Sequence, residues 1–354
     1  MPAAADIVLG QIVNSRGDWS DNCRDFSAGA RVYLDGLNAR GGINGERVVL
    51  AEREEGASAS DTVQIARTLV EQQRAVALFG LCGGMAARDV AASPWFRSAG
   101  VAMLAPQSGA LALRGAQAGE VYHIRASDAD EADKLATTLL GFGLRRVALI
   151  YGADEPGRAG KMAFERALSL RGVQPLLSVA LAGDGSDAAA LAQRIGGQAV
   201  QAVMLTASTL ASAAMVAELR RVLPGVMIFA TSGINHATLA DYLGSREAAQ
   251  GVVIATLMPS PYFAVTPIAR EHIRQMRQFR DEPPSHATLE GYVAARLAVE
   301  AIRRGGRRPD SMVRVLAGLG AVDVGGYQVD IGRGKPGSAF VDVAVVSKGG
   351  QLLN

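Results

Sequence analysis

Short apolar runs alternate with stretches of helical period along most of the chain. Residues 7–13 predict a buried strand. Phe26, Ala30, Tyr33, Leu34 and Leu37 then recur at helical spacing until Gly41-Gly42-Ile43-Asn44-Gly45 breaks the pattern. A strand at 48–51 follows, then a helix carrying Val63, Ala66, Leu69 and Val70, then a strand at 75–79. A short strand at 101–104 ends in Ala105-Pro106-Gln107-Ser108-Gly109, and 121–125 reads as an extended connector. The rhythm restarts with helices near 130–141, 160–171, 188–196 and 211–222 and strands at 146–151, 176–181, 202–205 and 226–230. Residues 251–257 read as a strand running into a second extended connector. Two long helices follow, at about 266–280 and 288–304, and a β-rich tail begins at Tyr327. Alternation of this kind predicts an α/β fold, with parallel-rich sheets covered by helices on both faces.

A chain of 354 residues exceeds one ordinary core, so two domains are expected. With 49% hydrophobic residues and a net charge of +2, the composition is that of a soluble globular protein and gives no sign of nucleic-acid binding. No apolar run reaches the roughly 18 residues of a membrane helix. The start, Met1-Pro2-Ala3-Ala4-Ala5-Asp6, has neither the basic nor the apolar region of a signal peptide. It fits either a mature terminus left by cleavage or the start of a cytoplasmic protein. Two cysteines, Cys23 and Cys82, fit either one disulfide or two buried thiols.

The stretch Gly80-Leu81-Cys82-Gly83-Gly84-Met85-Ala86-Ala87 lies where a strand ends and a helix begins. Such a turn offers backbone N–H groups to an anion or carbonyl oxygen. It is equally a tight turn that needs only small residues. No nucleophile elbow or phosphate loop is present, and His123, His236, His272 and His286 lack metal-ligand spacing, so neither an enzyme nor a metal site is expected. The Arg303-Arg304-Gly305-Gly306-Arg307-Arg308 cluster reads as a basic helix end, and Asp128-Ala129-Asp130-Glu131 as an acidic helix start.

Several segments, taken together, resemble one family. Leu37-Asn38-Ala39-Arg40-Gly41-Gly42-Ile43-Asn44-Gly45 is similar to a hallmark of the branched-chain amino-acid binding proteins, type I periplasmic solute-binding proteins of ABC transporters. Phe79-Gly80-Leu81-Cys82, Leu104-Ala105-Pro106-Gln107-Ser108, Ile124-Arg125-Ala126-Ser127-Asp128 and residues 144–151 match further family segments in register. The resemblance implies two doubly wound lobes joined by three crossover strands, near 123–126, 254–258 and 325–329. Lobe 1 would hold residues 1–123 and 257–325, and lobe 2 residues 124–256 and 326–354. It implies a small ligand clamped in the interlobe cleft, hinge closure, a periplasmic location, ABC permease subunits as partners, and no cofactor.

The ligand set it implies lies on strand-end loops: Trp19, Cys82, Gly83, Gly84, Gln107, Ser108, Gly109, Tyr151, Pro156, Ser208, Ser232 and Tyr262. Gly83 and Gly109 fall where the family carries hydroxyl residues, Ser232 where it carries an acid, and Pro156 where it carries a tyrosine. An ammonium buried without a carboxylate is costly. The expected ligands therefore extend from amino acids to organic or aromatic carboxylates and amides. Asp154 or Glu155 could supply a carboxylate, and Arg16 could pair with a ligand anion. The family often has a disulfide in this lobe, with its second cysteine near Glu55, so a Cys23–Cys82 bridge and free thiols both stay open. The rival reading is a cytoplasmic small-ligand sensor of the same fold that regulates a protein partner.

Overall fold

The computed structural model describes residues 6–16, 19–82 and 85–353. In chain order the elements are β1 (Ile7–Val13), α1 (Ser20–Ala39), β2 (Val48–Glu54), α2 (Ala59–Glu71), β3 (Ala77–Phe79), α3 (Ala86–Ala92), α4 (Pro94–Ser98), β4 (Met103–Leu104) and β5 (Val121–Tyr122). There follow α5 (Asp128–Gly141), β6 (Val147–Gly152), α6 (Glu155–Ser169), β7 (Leu177–Leu181), α7 (Ala188–Gly196), β8 (Ala202–Thr206), α8 (Thr209–Val222), β9 (Met227–Ala230), α9 (His236–Tyr242) and β10 (Val252–Thr256). The chain ends with α10 (Pro267–Phe279), α11 (His286–Arg303), α12 (Pro309–Ala317), β11 (Gly320–Asp323), β12 (Gln328–Ile331), β13 (Asp342–Val346) and β14 (Leu352–Leu353).

The chain divides into two units, residues 1–127 with 258–340 and residues 128–257 with 341–354. The first contains a parallel sheet of order β2-β1-β3-β4-β5 and the separate hairpin β11-β12. The second contains the sheet β14-β13-β10-β9-β8-β6-β7, parallel except where β13 runs antiparallel to β10 and to β14. Order numbers that double back from a central strand mark a doubly wound sheet. The third crossing falls at 340/341, not near 325–329. The cause is the β11-β12 hairpin, which keeps residues 320–331 in the first unit, so the β-rich tail is shared between units. The connector at 121–125 starts as strand β5, paired with β4. Helices α9 and α12 were absent from the expected elements; each is short, and its apolar repeat spans barely two turns.

Packing follows the periodicity. Phe26, Ala30, Tyr33, Leu34 and Leu37 turn one face of α1 onto the first sheet and α11, in a core that also takes Tyr292, Leu297 and Ile302. The opposite sheet face packs Leu69, Leu78, Val90 and Phe96. In the second unit Leu135 and Leu139 of α5 and Phe164 and Leu168 of α6 cover one sheet face around Phe229. Helices α1 and α11 touch backbone to backbone. A Cβ on Gly29 would stand 1.8 Å from the Thr288 carbonyl oxygen, and one on Gly291 1.9 Å from that of Phe26. Neither neighbour is a side chain that can swing away. Gly291→Ala should therefore cost about 3 kcal/mol, the upper end of ordinary overpacking. An unchanged urea midpoint in that variant would exclude the close crossing.

At its first crossing the first unit is tied down from several sides. Arg114 Nη2 donates to the carbonyls of Arg125 (3.1 Å) and Ala126 (3.0 Å), and its Nη1 donates to that of Pro336. The Tyr327 hydroxyl donates to the Ile124 carbonyl at 2.8 Å. Arg125 lies 3.5 Å from Glu290, both nearly buried. Burial raises the Glu290 carboxyl, and the guanidinium of Arg125 offsets part of that rise.

Candidate functional site

Nearly every sequence-predicted site residue sits at or just past the carboxyl end of a strand, or on the helix that follows it. In the first unit, Gly80 follows β3 with φ +56°, a region where glycine carries no Cβ penalty. The position is also spatially closed, because a Cβ there would meet the Phe26 ring at 2.3 Å. Gln11 Nε2 donates to the Gly80 carbonyl at 3.1 Å. Cys82 then donates its backbone N–H to Ile12 at 3.2 Å and is disulfide-bonded to Cys23, with Cα atoms 5.4 Å apart. Gly83 and Gly84 lie outside the described residues.

The helix start that follows is already engaged. The Glu55 carboxylate accepts the Met85 backbone N–H at 3.3 Å and the Asn14 amide at 2.9 Å. The expectation of N–H groups at this turn open to an outside anion is corrected at Met85: an internal carboxylate holds that donor. Sequence reading could not supply this contact, since Glu55 follows a different strand, β2, and marks nothing local.

On the neighbouring loop, Ala105 adopts φ +55°, uncommon for a residue with a Cβ. Gln107 donates its backbone N–H to Leu81 at 2.9 Å and its side-chain amide to the Asn22 carbonyl at 3.2 Å. The Ser108 hydroxyl accepts from the Ala110 N–H at 3.3 Å, and Gly109 is buried. Leu81, Cys82, Gln107 and Ser108 are thus brought together beside the start of α1. Trp19, half-buried, immediately precedes α1, and Arg16 is exposed in the loop before it. Tyr262 lies after β10 and packs edge-on to His286 with ring centroids 5.6 Å apart. Burial, and secondarily the Asp25 carboxylate, raises its phenol.

In the second unit the corresponding ends are those of β6, β8 and β9. Tyr151, the penultimate residue of β6, is half-buried, with Lys161 Nζ 5.6 Å from its ring centroid. Asp154 caps α6, its carboxylate accepting the Gly157 N–H at 2.9 Å. Glu155 and Pro156 form the first turn of that helix. Ser208 is buried and caps α8, accepting from Ala211 at 3.3 Å. Asn235 caps α9 through Ala237 and Thr238 at 3.1 and 3.2 Å. Its neighbour His236 is driven down to about 4 by burial, so its imidazole is neutral at pH 7.

Ser232 does not stand without an acid. The buried Glu131 carboxylate accepts both its backbone N–H and, at 3.2 Å, its hydroxyl. Glu131 belongs to α5, read from sequence only as an acidic helix start. A carboxylate thus reaches the position where the sequence lacks one, from 101 residues away.

Among the described residues no group of three or more His, Cys, Asp or Glu is arranged to hold a metal ion. Among the same residues no helix is long and apolar enough to cross a membrane.

A family model described as periplasmic binding protein matches residues 6–350. The Leu/Ile/Val-binding protein homolog 7 of Brucella suis biovar 1 (strain 1330) is 24% identical over 349 residues, covering 94% of this chain and 85% of that protein. The crystal structure of a substrate-binding periplasmic protein from Ralstonia solanacearum superposes with a TM-score of 0.90 at 28% identity, covering 98% of this chain and 99% of that one. A branched chain amino acid ABC transporter from Thermus thermophilus, solved with bound valine, superposes with a TM-score of 0.85 at 18% identity, covering 100% of this chain and 96% of that one. At that identity the last likeness speaks to the fold alone.

Proposed function

The chain belongs to the periplasmic binding protein family, and on that premise we propose that it is the extracytoplasmic solute-binding component of an ABC importer. It is not an enzyme. It takes a small carboxylate, amino acid or related compound through the strand-end loops of its units, and ligand-driven closure is what the permease subunits recognise. The support is positional: open α/β sheets bind ligands beyond the carboxyl ends of their strands, and the candidate residues lie there. The oxidised Cys23–Cys82 pair supports an extracytoplasmic location over a cytoplasmic sensor.

The observation that carries the ligand class is Glu131 beside Ser232. A buried carboxylate at this loop favours a ligand with an ammonium group over its deaminated counterpart. The test is a thermal-shift comparison of leucine, valine and aromatic amino acids with their 2-oxo acids and with amides. At 100-fold over its dissociation constant a ligand should stabilise by about 2.7 kcal/mol. Amino acids should win, and Glu131→Gln should remove that preference while the variant stays folded. Stabilisation by the 2-oxo acids instead would overturn the ammonium assignment. No shift with any of these compounds would count against the solute-binding reading.

A further inference from the structure

Away from the strand-end loops, the outward face of α10 is unusually cationic. Arg270, Arg274 and Arg277 are all exposed and recur at helical spacing, so they line one stripe extending about 10 Å along the axis. The inner face, with Ile268, Ala269, His272, Gln275 and Met276, is buried. The stripe borders a shallow groove of about 390 Å³ lined by Ala264, Arg270, Ile273, Arg274, Arg277 and Gln278.

Two features separate this face from an ordinary solvated charge run. First, its cations are not matched by a carboxylate among the described residues. Arg270 donates only to the carbonyls of Ala264 (3.1 Å) and Val265 (3.2 Å). Among the described residues, Arg274 and Arg277 make no hydrogen bond or ion pair. Elsewhere arginines are commonly neutralised: Arg280 by Asp35, Arg296 by Glu271, Arg304 by Glu300 and Arg307 by Glu46. Second, the groove is lined by apolar Ala264 and Ile273 beside the arginines, and the two chain neighbours of Ala264, Phe263 and Val265, are 51% and 72% exposed.

We propose that this α10 face is a docking surface for an acidic segment of a protein partner, with apolar side chains between its carboxylates. Charge complementarity sets the sign of the partner. Spacing sets its form: guanidiniums strung along a helix suit carboxylates distributed along a peptide, whereas a small anion is held by groups that converge on one point. Arginine beside exposed aromatic surface is also the composition of interface anchors. The proposal is independent of which solute the protein binds.

The experiment uses the whole protein and a fluorescein-labelled peptide of alternating Glu and Leu, with a Lys and Leu peptide as control, followed by anisotropy at low salt. The acidic peptide should bind and the basic one should not. Arg274→Glu with Arg277→Glu should weaken binding roughly tenfold or more, while Arg303→Glu with Arg304→Glu on α11 and its C-cap should leave it unchanged. The melting temperature of the first variant should equal the parent's, since neither side chain bonds another described residue; Arg274→Gln with Arg277→Gln replaces it if that fails. Equal weakening by both pairs would reduce the effect to general charge and overturn the proposal. Tripolyphosphate displacing the peptide while showing the same loss in the variant would assign the face to small anions instead.

Discussion

Replacing His272 with Leu is expected to stabilise the protein at neutral pH by about 1–3 kcal/mol, the usual penalty of a buried unsatisfied polar group. His272 is fully buried on α10, packed against the Tyr292 ring at 5.4 Å, and neither of its ring nitrogens has a hydrogen-bond partner. Leu removes that deficit at nearly conserved volume. The same substitution should alter the response to acid. Burial depresses His272 and His123 to about 3 and His236 to about 4, against an ordinary value of 6.5. For His123 the Arg114 guanidinium adds to the effect.

An imidazole depressed in the folded state binds fewer protons there than in the unfolded chain. Its stability is intact above pH 6.5 and is lost as pH falls from there toward 3 or 4. At pH 5 each such group costs about 2 kcal/mol, from 1.36 kcal/mol per unit. Glu52 and Glu290, both raised by burial, act with the opposite sign and offset part of this loss. Comparing parent and His272→Leu by urea denaturation isolates one imidazole: the variant's advantage should grow by about 2 kcal/mol between pH 7.5 and pH 5. An advantage that stays constant across that range would show that His272 titrates normally.

Opening the Cys23–Cys82 bridge is expected to cost about 4 kcal/mol. The bridge joins residues 59 apart in sequence, and the chain-entropy model assigns a loop of that length a stabilisation of about this size. Both cysteines are 1% exposed, so a Cys23→Ala, Cys82→Ala variant keeps an apolar site and tests the crosslink more than the packing. Bridge and packing also meet: Cys23 lies one turn before Phe26, whose ring fills the space beside Gly80. The loss should appear as a lower urea midpoint, and reductant should bring the parent toward the variant. A parent whose midpoint ignores reductant after its thiols are shown to be free would sink this prediction.

The periodicity of the chain was sufficient for much of the fold. Strands with apolar runs, such as 147–152 and 202–206, and helices with long apolar stripes, such as α1 and α10, are local properties, and burial on the side the pattern points to needs no distant information. The placing of site loops at strand ends followed from the same alternation, since parallel sheets put those ends on one edge. Family resemblance added the expectation of two lobes and the candidate residues; the family match over residues 6–350 bears on the family itself, and the division into two units is seen in the fold.

The tertiary structure decided which groups meet. Glu131 bonding the Ser232 loop, Glu55 occupying the Met85 N–H, and Cys82 pairing with Cys23 join positions 101, 30 and 59 residues apart, and none leaves a periodic trace. The third crossing at 340/341 likewise depended on a hairpin choosing its unit. Ser208 and Asp154 turned out to be helix caps, because a short oxygen-bearing side chain at a strand end serves the first free N–H of the next helix. Periodicity reports the face a residue turns to the core; partner choice depends on long-range geometry that only the folded chain sets.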